Sequence, residues 1–223
     1  SCVPERGTHY GINRLASHIR KASHNYTQKC YVMKLDIRGY FMHIDRQRLL
    51  EIATATLQKM AQKTDGIDID FLLWLTREII LLDPNENCHI VGSEDDWIGL
   101  DPAKSMRFVN SDKGMPIGNL TSQLFSNVYL NVFDQFMKRE LHCKHYGRYV
   151  DDAAIVSADR EWLLQQVPIL RNFLFNHLGL QMHMGKLHIR NAYYGVEFLG
   201  TFIKAWRNYV SNITLRRMRQ HMA

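Results

Sequence analysis

Gly147-Arg148-Tyr149-Val150-Asp151-Asp152-Ala153-Ala154-Ile155-Val156 sets two adjacent acids between two apolar, β-rich segments. Neighbouring carboxylates repel each other. A hairpin turn that projects them beside divalent cations relieves the repulsion, because hard cations take carboxylate oxygens. A solvated turn also accommodates an Asp pair, and a four-residue string has little weight alone. A second acid changes the weighing. Far upstream, Tyr31-Val32-Met33-Lys34-Leu35-Asp36-Ile37 alternates and is β-rich, which predicts a strand ending near Asp36. Carboxylates at the ends of two neighbouring strands can hold two Mg²⁺ ions. Such a pair activates an attacking hydroxyl and stabilises a departing pyrophosphate in line. The alternative for Asp36 is an ordinary strand-end cap.

Around these acids the pattern is mixed. Residues 10–24 read as a helix with Ile12, Leu15, Ile19 and Ala22 on one face. Asp45 is placed to cap a helix running to about residue 62, with Leu49, Ile52 and Leu57 inward. A further helix is predicted over 67–82, stopping before Pro84, and the polar, turn-rich residues 83–114 read as irregular. Leu124, Phe125, Val128, Val132, Phe136 and Met137 carry a helical period over 120–141, beginning just after Gly118-Asn119. A helix over 160–178, kinked at Pro168, precedes strands at 186–190 and 195–203. From the first strand onward the order is β-α-α-α-β-β-α-β-β. That suits an α+β domain with a small antiparallel sheet packed on helices.

The 223 residues are 46% hydrophobic and 22% charged, enough for one large core. No run of eighteen apolar residues exists, so no membrane span is expected. The opening Ser1-Cys2-Val3-Pro4 has no signal-peptide pattern and no initiator Met, and reads as part of a longer protein. Cys2, Cys30, Cys88 and Cys143 form no CxxC pair, so free thiols in a reducing cytosol are expected. His142-Cys143-Lys144-His145 lacks a second ligand pair for zinc and reads as a solvated loop. The net charge of +6 is unevenly spread. Residues 65–101 carry ten acids against one base, Arg77, which leaves the remainder at +15. That surplus is the footprint of a polyanion binder, with the acidic block expected to lie away from bound nucleic acid.

With these pieces in order, the chain resembles a reverse transcriptase from about Cys2 to Ile203. Lys34 to Phe41 resembles the first acidic palm motif, and Gly114-Met115-Pro116-Ile117-Gly118-Asn119-Leu120-Thr121-Ser122-Gln123 the template and nucleotide motif. Tyr149 to Asp152 matches the YxDD box. Leu178-Gly179-Leu180 with Lys186-Leu187-His188-Ile189 resembles the motif after it, and Glu197-Phe198-Leu199-Gly200 the primer grip. The resemblance implies a polymerase palm with incomplete fingers and a truncated thumb. Residues 1–30 would be residual fingers or pre-palm, 31–203 the palm with an acidic insertion at about 61–113, and 204–223 the start of the thumb.

It also implies roles. Asp36, Asp151 and Asp152, with the Ile37 carbonyl, would bind two Mg²⁺ or Mn²⁺ ions. Lys186 would sit by the triphosphate and protonate the departing pyrophosphate. Phe41 would be the aromatic gate that clashes with a ribose 2′-hydroxyl. Ile117, Gly118 and Gln123 would line the nucleotide site, and Phe198, Leu199 and Gly200 would hold the primer. Partners would be an RNA template, a DNA or RNA primer and dNTPs, with no membrane. Most relatives carry Gln-Gly in the template motif, followed by Ser-Pro; here Ile117-Gly118 and Ser122-Gln123 stand instead. That variant, with Glu5-Arg6-Gly7-Thr8-His9-Tyr10-Gly11, resembles the enzymes of bacterial and phage diversity-generating retroelements. These copy a template-repeat RNA with errors at adenines and work with a small basic accessory protein. A cytoplasmic, bacterial or phage-encoded enzyme is implied. Without its fingers hairpin and thumb, the chain is expected to be weakly active or inactive alone. Competing readings are a retron or group II intron-like reverse transcriptase, an RNA-dependent RNA polymerase, and an inactive palm serving as an RNA-binding or assembly module.

Overall fold

The computed structural model describes residues 5–86, 88–89, 91–101 and 104–222. Ser1 to Pro4 of the expected pre-palm segment, Asn87, Ile90, Pro102 and Ala103 of the expected insertion, and Ala223 lie outside the described residues.

Helix α1, Thr8–Ala22, buries Ile12, Leu15 and Ile19 at the predicted spacing. Strand β1, Tyr31–Leu35, follows. Gly39, left-handed at φ +53, opens the one-turn helix α2, Tyr40–His43, which sequence reasoning missed. Asp45 caps α3, Arg46–Ala61, by accepting the Arg48 amide at 2.9 Å, as expected. Asp68 caps α4, Ile69–Leu81, in the same way through Phe71, two residues later than the predicted start. Among the described residues the expected irregular segment holds single turns, such as Glu94–Trp97 and Met106–Phe108. Helix α5, Leu120–Gln135, continues through a π-helical turn, Phe136–Glu140, in which the Leu141 amide bonds to the Phe136 carbonyl. Strands β2, Tyr146–Tyr149, and β3, Asp152–Ser157, flank the paired acids. Helix α6, Arg160–Leu178, carries Pro168 inside it. The chain ends with β4, His188–Asn191, then β5, Val196–Phe198, β6, Thr201–Lys204, β7, Arg207–Val210, and α7, Asn212–Met222. Two expectations are corrected here. Residues 195–203 form a hairpin and not one strand, and Lys186 sits in a tight turn, Met184–Lys186, ahead of β4.

These elements divide into two compact units. Ser1–Asp36, Asp134–Asn172 and Met182–Ala223 form the first. It holds a four-stranded antiparallel sheet, β2-β3-β1-β4, and a three-stranded one, β5-β6-β7. The central strand β1 buries Val32, Met33 and Leu35. Ile12, Leu15 and Ile19 of α1 pack with Val32, Ala154, Val156, Val196, Phe198 and Ile203 in one core. Each Val, Leu, Ile or Phe side chain there stabilises the fold by about 1.5–3 kcal/mol when fully buried. Ile37–Phe133 and Phe173–Gln181 form the second unit, α-helical, with α3 against α4 and a core that includes Ile44, Leu49, Ile80, Leu130 and Phe133. Two buried hydroxyls reach backbone carbonyls there, Tyr129 to Leu178 at 2.6 Å and Tyr40 to Ser126 at 2.5 Å. No helix among the described residues is long and apolar enough to cross a membrane.

Candidate active site

The β1–β3 ladder ends with Leu35 opposite Ala153, so one more step of the same register sets Asp36 against Asp152. Tyr149 pairs with Asp152, which leaves Val150-Asp151 as a two-residue turn. Val150 there has φ +56. A β-branched residue in the left-handed region is strained by about 1–3 kcal/mol and persists only when its surroundings enforce it. Arg148 does the enforcing. Its Nη1 donates to the Val150 carbonyl at 2.7 Å, while Nε and Nη2 donate to the two Asp134 oxygens at 2.8 and 2.7 Å. Tyr146 adds a hydrogen bond to Asp134 at 2.6 Å, and burial pushes its phenol well above the ordinary value.

Charge is concentrated at this turn. Burial raises the Asp151 carboxyl pKa, and the neighbouring Asp152 and Asp36 raise it further. Burial and Asp36 raise Asp152 as well, against an opposing pull from Lys34. Two ammonium groups serve as counter-charges: Lys186 Nζ is 2.5 Å from Asp36 Oδ2, and Lys34 Nζ is 3.5 Å from Asp152 Oδ1. The hydrogen bond to Asp36 raises the Lys186 pKa. The turn carrying Lys186 is fixed to the same acid, because the His183 amide donates to the Asp36 carbonyl at 2.8 Å. Among the described residues no three acidic, His or Cys side chains stand as a ready-made metal cage. The donor set nevertheless fits hard cations, since converging carboxylates that raise each other's pKa gain most from a divalent counter-charge.

The residues expected to line the nucleotide site fall in the second unit. Ile37 is buried at its head. The Phe41 carbonyl accepts from the Met115 amide at 2.8 Å, and the Ile44 carbonyl from Gly114 at 2.8 Å, so the template-motif loop is stitched to the gate segment. Buried Arg46 completes the join: Nε donates to the Gly114 carbonyl and Nη1 to that of Ser111, each at 2.9 Å. Ile117 is 69% exposed and Gln123 is also exposed. Gly118 adopts φ +107 with open space where a Cβ would stand, so backbone conformation already favours glycine there. The primer-grip candidates lie in the first unit. Phe198 is buried, Leu199 and Gly200 form the β5–β6 turn at φ +49 and +74, and the Leu199 side chain lies against Gly11 of α1.

Sequence reasoning missed Lys34, Asp134, Arg148 and Arg46. Lys34 was accessible to it: two residues before Asp36 in a strand, it shares that acid's face. The others act through non-local contacts. The His142–His145 loop is not solvated throughout, since Cys143 is buried with its thiol pKa pushed up to about 11.

Comparison with known proteins adds to this geometry. The family model for reverse transcriptase (RNA-dependent DNA polymerase) matches residues 4–203. No curated protein sequence matches the chain. Among solved structures the fold is similar to telomerase from Candida albicans in complex with a TWJ fragment of telomeric RNA. The TM-score is 0.57 at 13% identity, over 93% of this chain and 36% of that one. The chain therefore spans little more than a third of that telomerase, and the likeness is one of fold.

Proposed function

Because this chain belongs to the reverse transcriptase family and has its palm fold, we propose that it extends a primer on an RNA template with deoxynucleotides. The observation that supports this most directly is the meeting of Asp36 with Asp151 and Asp152 at one end of one sheet. Asp36, Asp151 and Asp152, with the Ile37 carbonyl, would hold two Mg²⁺ ions, with Mn²⁺ as a substitute. Bound there, the ions supply activation of the primer 3′-hydroxyl and stabilisation of the leaving pyrophosphate.

The side chains do the rest. Lys186 keeps its proton beside Asp36 and offers an ammonium to the triphosphate and then to the pyrophosphate. By resemblance to the family, the Phe41 ring would exclude a 2′-hydroxyl, Gly118 would leave room for the nascent base pair, and the Phe198-Leu199-Gly200 turn would hold the primer end. Primer extension on a defined RNA template by the full-length protein tests the proposal, with Asp151→Asn as control. Deoxynucleotide addition that needs Mg²⁺ and disappears in the variant is expected. Equal use of ribonucleotides, or an active variant, would refute it.

The finer reading is an enzyme of a diversity-generating retroelement, bacterial or phage-encoded and cytoplasmic, partnered by a small basic accessory protein. Its support is the string Ile117-Gly118-Asn119-Leu120-Thr121-Ser122-Gln123 and the exposed Ile117 side chain, which cannot hydrogen-bond an incoming nucleotide as Gln would. Ile117→Gln is expected to lower misincorporation opposite template adenine in primer extension. An unchanged error rate would remove this rationale.

A further inference from the structure

Arg46 opens α3 with its side chain 3% exposed and bonded to chain far away in sequence. Residues 41–46 and 111–115 run antiparallel there. The Ile44 carbonyl accepts from Gly114 at 2.8 Å, the Arg46 amide donates to the Asp112 carbonyl at 3.1 Å, and Asp45 faces Lys113 between them. The guanidinium closes the same seam through the Gly114 and Ser111 carbonyls. Its Nη2 is buried with no hydrogen-bond partner among the described residues, 3.9 Å from Asp83 Oδ1. Burial works against the charge, and Asp83 and Asp112 work for it. A buried guanidinium with one idle nitrogen is destabilising where an apolar side chain of similar size would pack freely. Such breaches of the satisfied-interior rule gather at functional positions.

The seam lies between two groups that matter to nucleotide choice. On one side is Phe41, whose neighbour Tyr40 anchors α2 through the Ser126 carbonyl, the two rings 5.3 Å apart. On the other, the chain passes from buried Met115 to exposed Ile117 and Gly118. A shift at Gly114 therefore carries directly into that loop. We propose that Arg46 is a positioning residue for sugar selection, setting the gap between the Phe41 ring and the Ile117-Gly118 backbone. The inference rests on the polymerase reading above, in which those groups face the incoming nucleotide. Arg46 is too deeply buried to touch a substrate, so it acts through the loop. Misplacing a substrate by about 1 Å from a remote site is enough to change turnover on the order of 10²-fold.

Single-nucleotide incorporation by the full-length protein, with dNTP and rNTP series, tests the inference. Arg46→Met keeps an unbranched side chain and removes the guanidinium. It should narrow dNTP-over-rNTP discrimination in kcat/KM about tenfold, with the loss for dNTP falling in KM and kcat staying within about twofold. A residue that only held the fold together would lower kcat for both series alike and leave the ratio unchanged. Phe41→Ala should narrow the ratio too, and Arg46→Met/Phe41→Ala should narrow it no further, because both act on one gap. Should Arg46→Met fail to fold, Arg46→Lys decides, since an ammonium cannot reproduce the planar fork and a narrowed ratio is again expected. A parent-like ratio in the folded Arg46 variant, or fully additive losses in the double variant, would overturn the inference while the polymerase reading stands. A parent that extends no primer would sink that reading, and this inference with it.

Discussion

Asp151 binds its proton more tightly in the folded protein than in the unfolded chain, chiefly because burial disfavours the carboxylate and then because Asp152 and Asp36 repel it. The sign follows directly. The native state holds the extra proton, so stability is greatest below the ordinary carboxylate range, declines as pH rises through it, and stays reduced above the folded pKa. At pH 7 the ionised side chain is thus a cost to the metal-free fold. Asp151→Asn should raise the melting temperature of metal-free protein, by about 2–4 °C for each kcal/mol of relieved repulsion. The same change should lower primer extension on the order of 10²–10³-fold. Calorimetry with chelator present checks the first effect, and a lower melting temperature would mark Asp151 as structural instead. The acid pair was legible because adjacent like charges between apolar runs need an explanation. Lys34 was passed over because a lone lysine in a strand is ordinarily a solvated one, although its place two residues before Asp36 puts it on the acid's face, where it pairs with Asp152.

At the scale of elements, the acidic hairpin depends on a clamp outside itself. Asp134, at the end of α5, takes two of the three donor nitrogens of Arg148 and the Tyr146 hydroxyl, and the third Arg148 nitrogen holds the carbonyl of strained Val150. Arg148→Ala leaves Asp134 partly buried without its charge partner, which typically costs about 3–5 kcal/mol. Arg148→Lys should also weaken the hairpin, since an ammonium cannot reproduce the planar fork. Urea unfolding of Asp134→Asn, Arg148→Met and the double variant should show strong coupling. Additive losses would dissolve the clamp. The strands were legible from alternation, but the β5–β6 turn was not. Both of its residues have positive φ, a geometry usually announced by Asn-Gly, and here the first is Leu199. Strand β7 was hidden for another reason: it is exposed on both faces, so it has no apolar alternation to read.

Across the whole molecule, the expected segments 1–30, 31–203 and 204–223 follow the chain, whereas the two compact units interleave along it. Two of their four boundaries fall inside α5 and α6, where no Gly- or Pro-rich linker exists to announce them. Global stability then has a second pH lever that composition does not reveal. His18 of α1 is buried with Nδ1 3.3 Å from His145 Nδ1, and its Nε2 has no hydrogen-bond partner. Burial, then Arg14, His145 and Lys21, lower its pKa from 6.5 to about 4, and burial lowers His145 too. Here the unfolded chain takes up the proton first. Stability is therefore intact above pH 6.5 and falls as the solution is acidified toward about pH 4, by up to about 3 kcal/mol for His18. The Asp151 effect runs the other way with pH, and His18→Leu separates the two because it removes only the histidine lever. Urea unfolding at pH 7 and pH 5 should show the parent losing more stability than His18→Leu between these values. Parallel losses would mean that the histidine pair does not sense acid, and that the contact between α1 and the residues leading into β2 is held by its apolar neighbours alone.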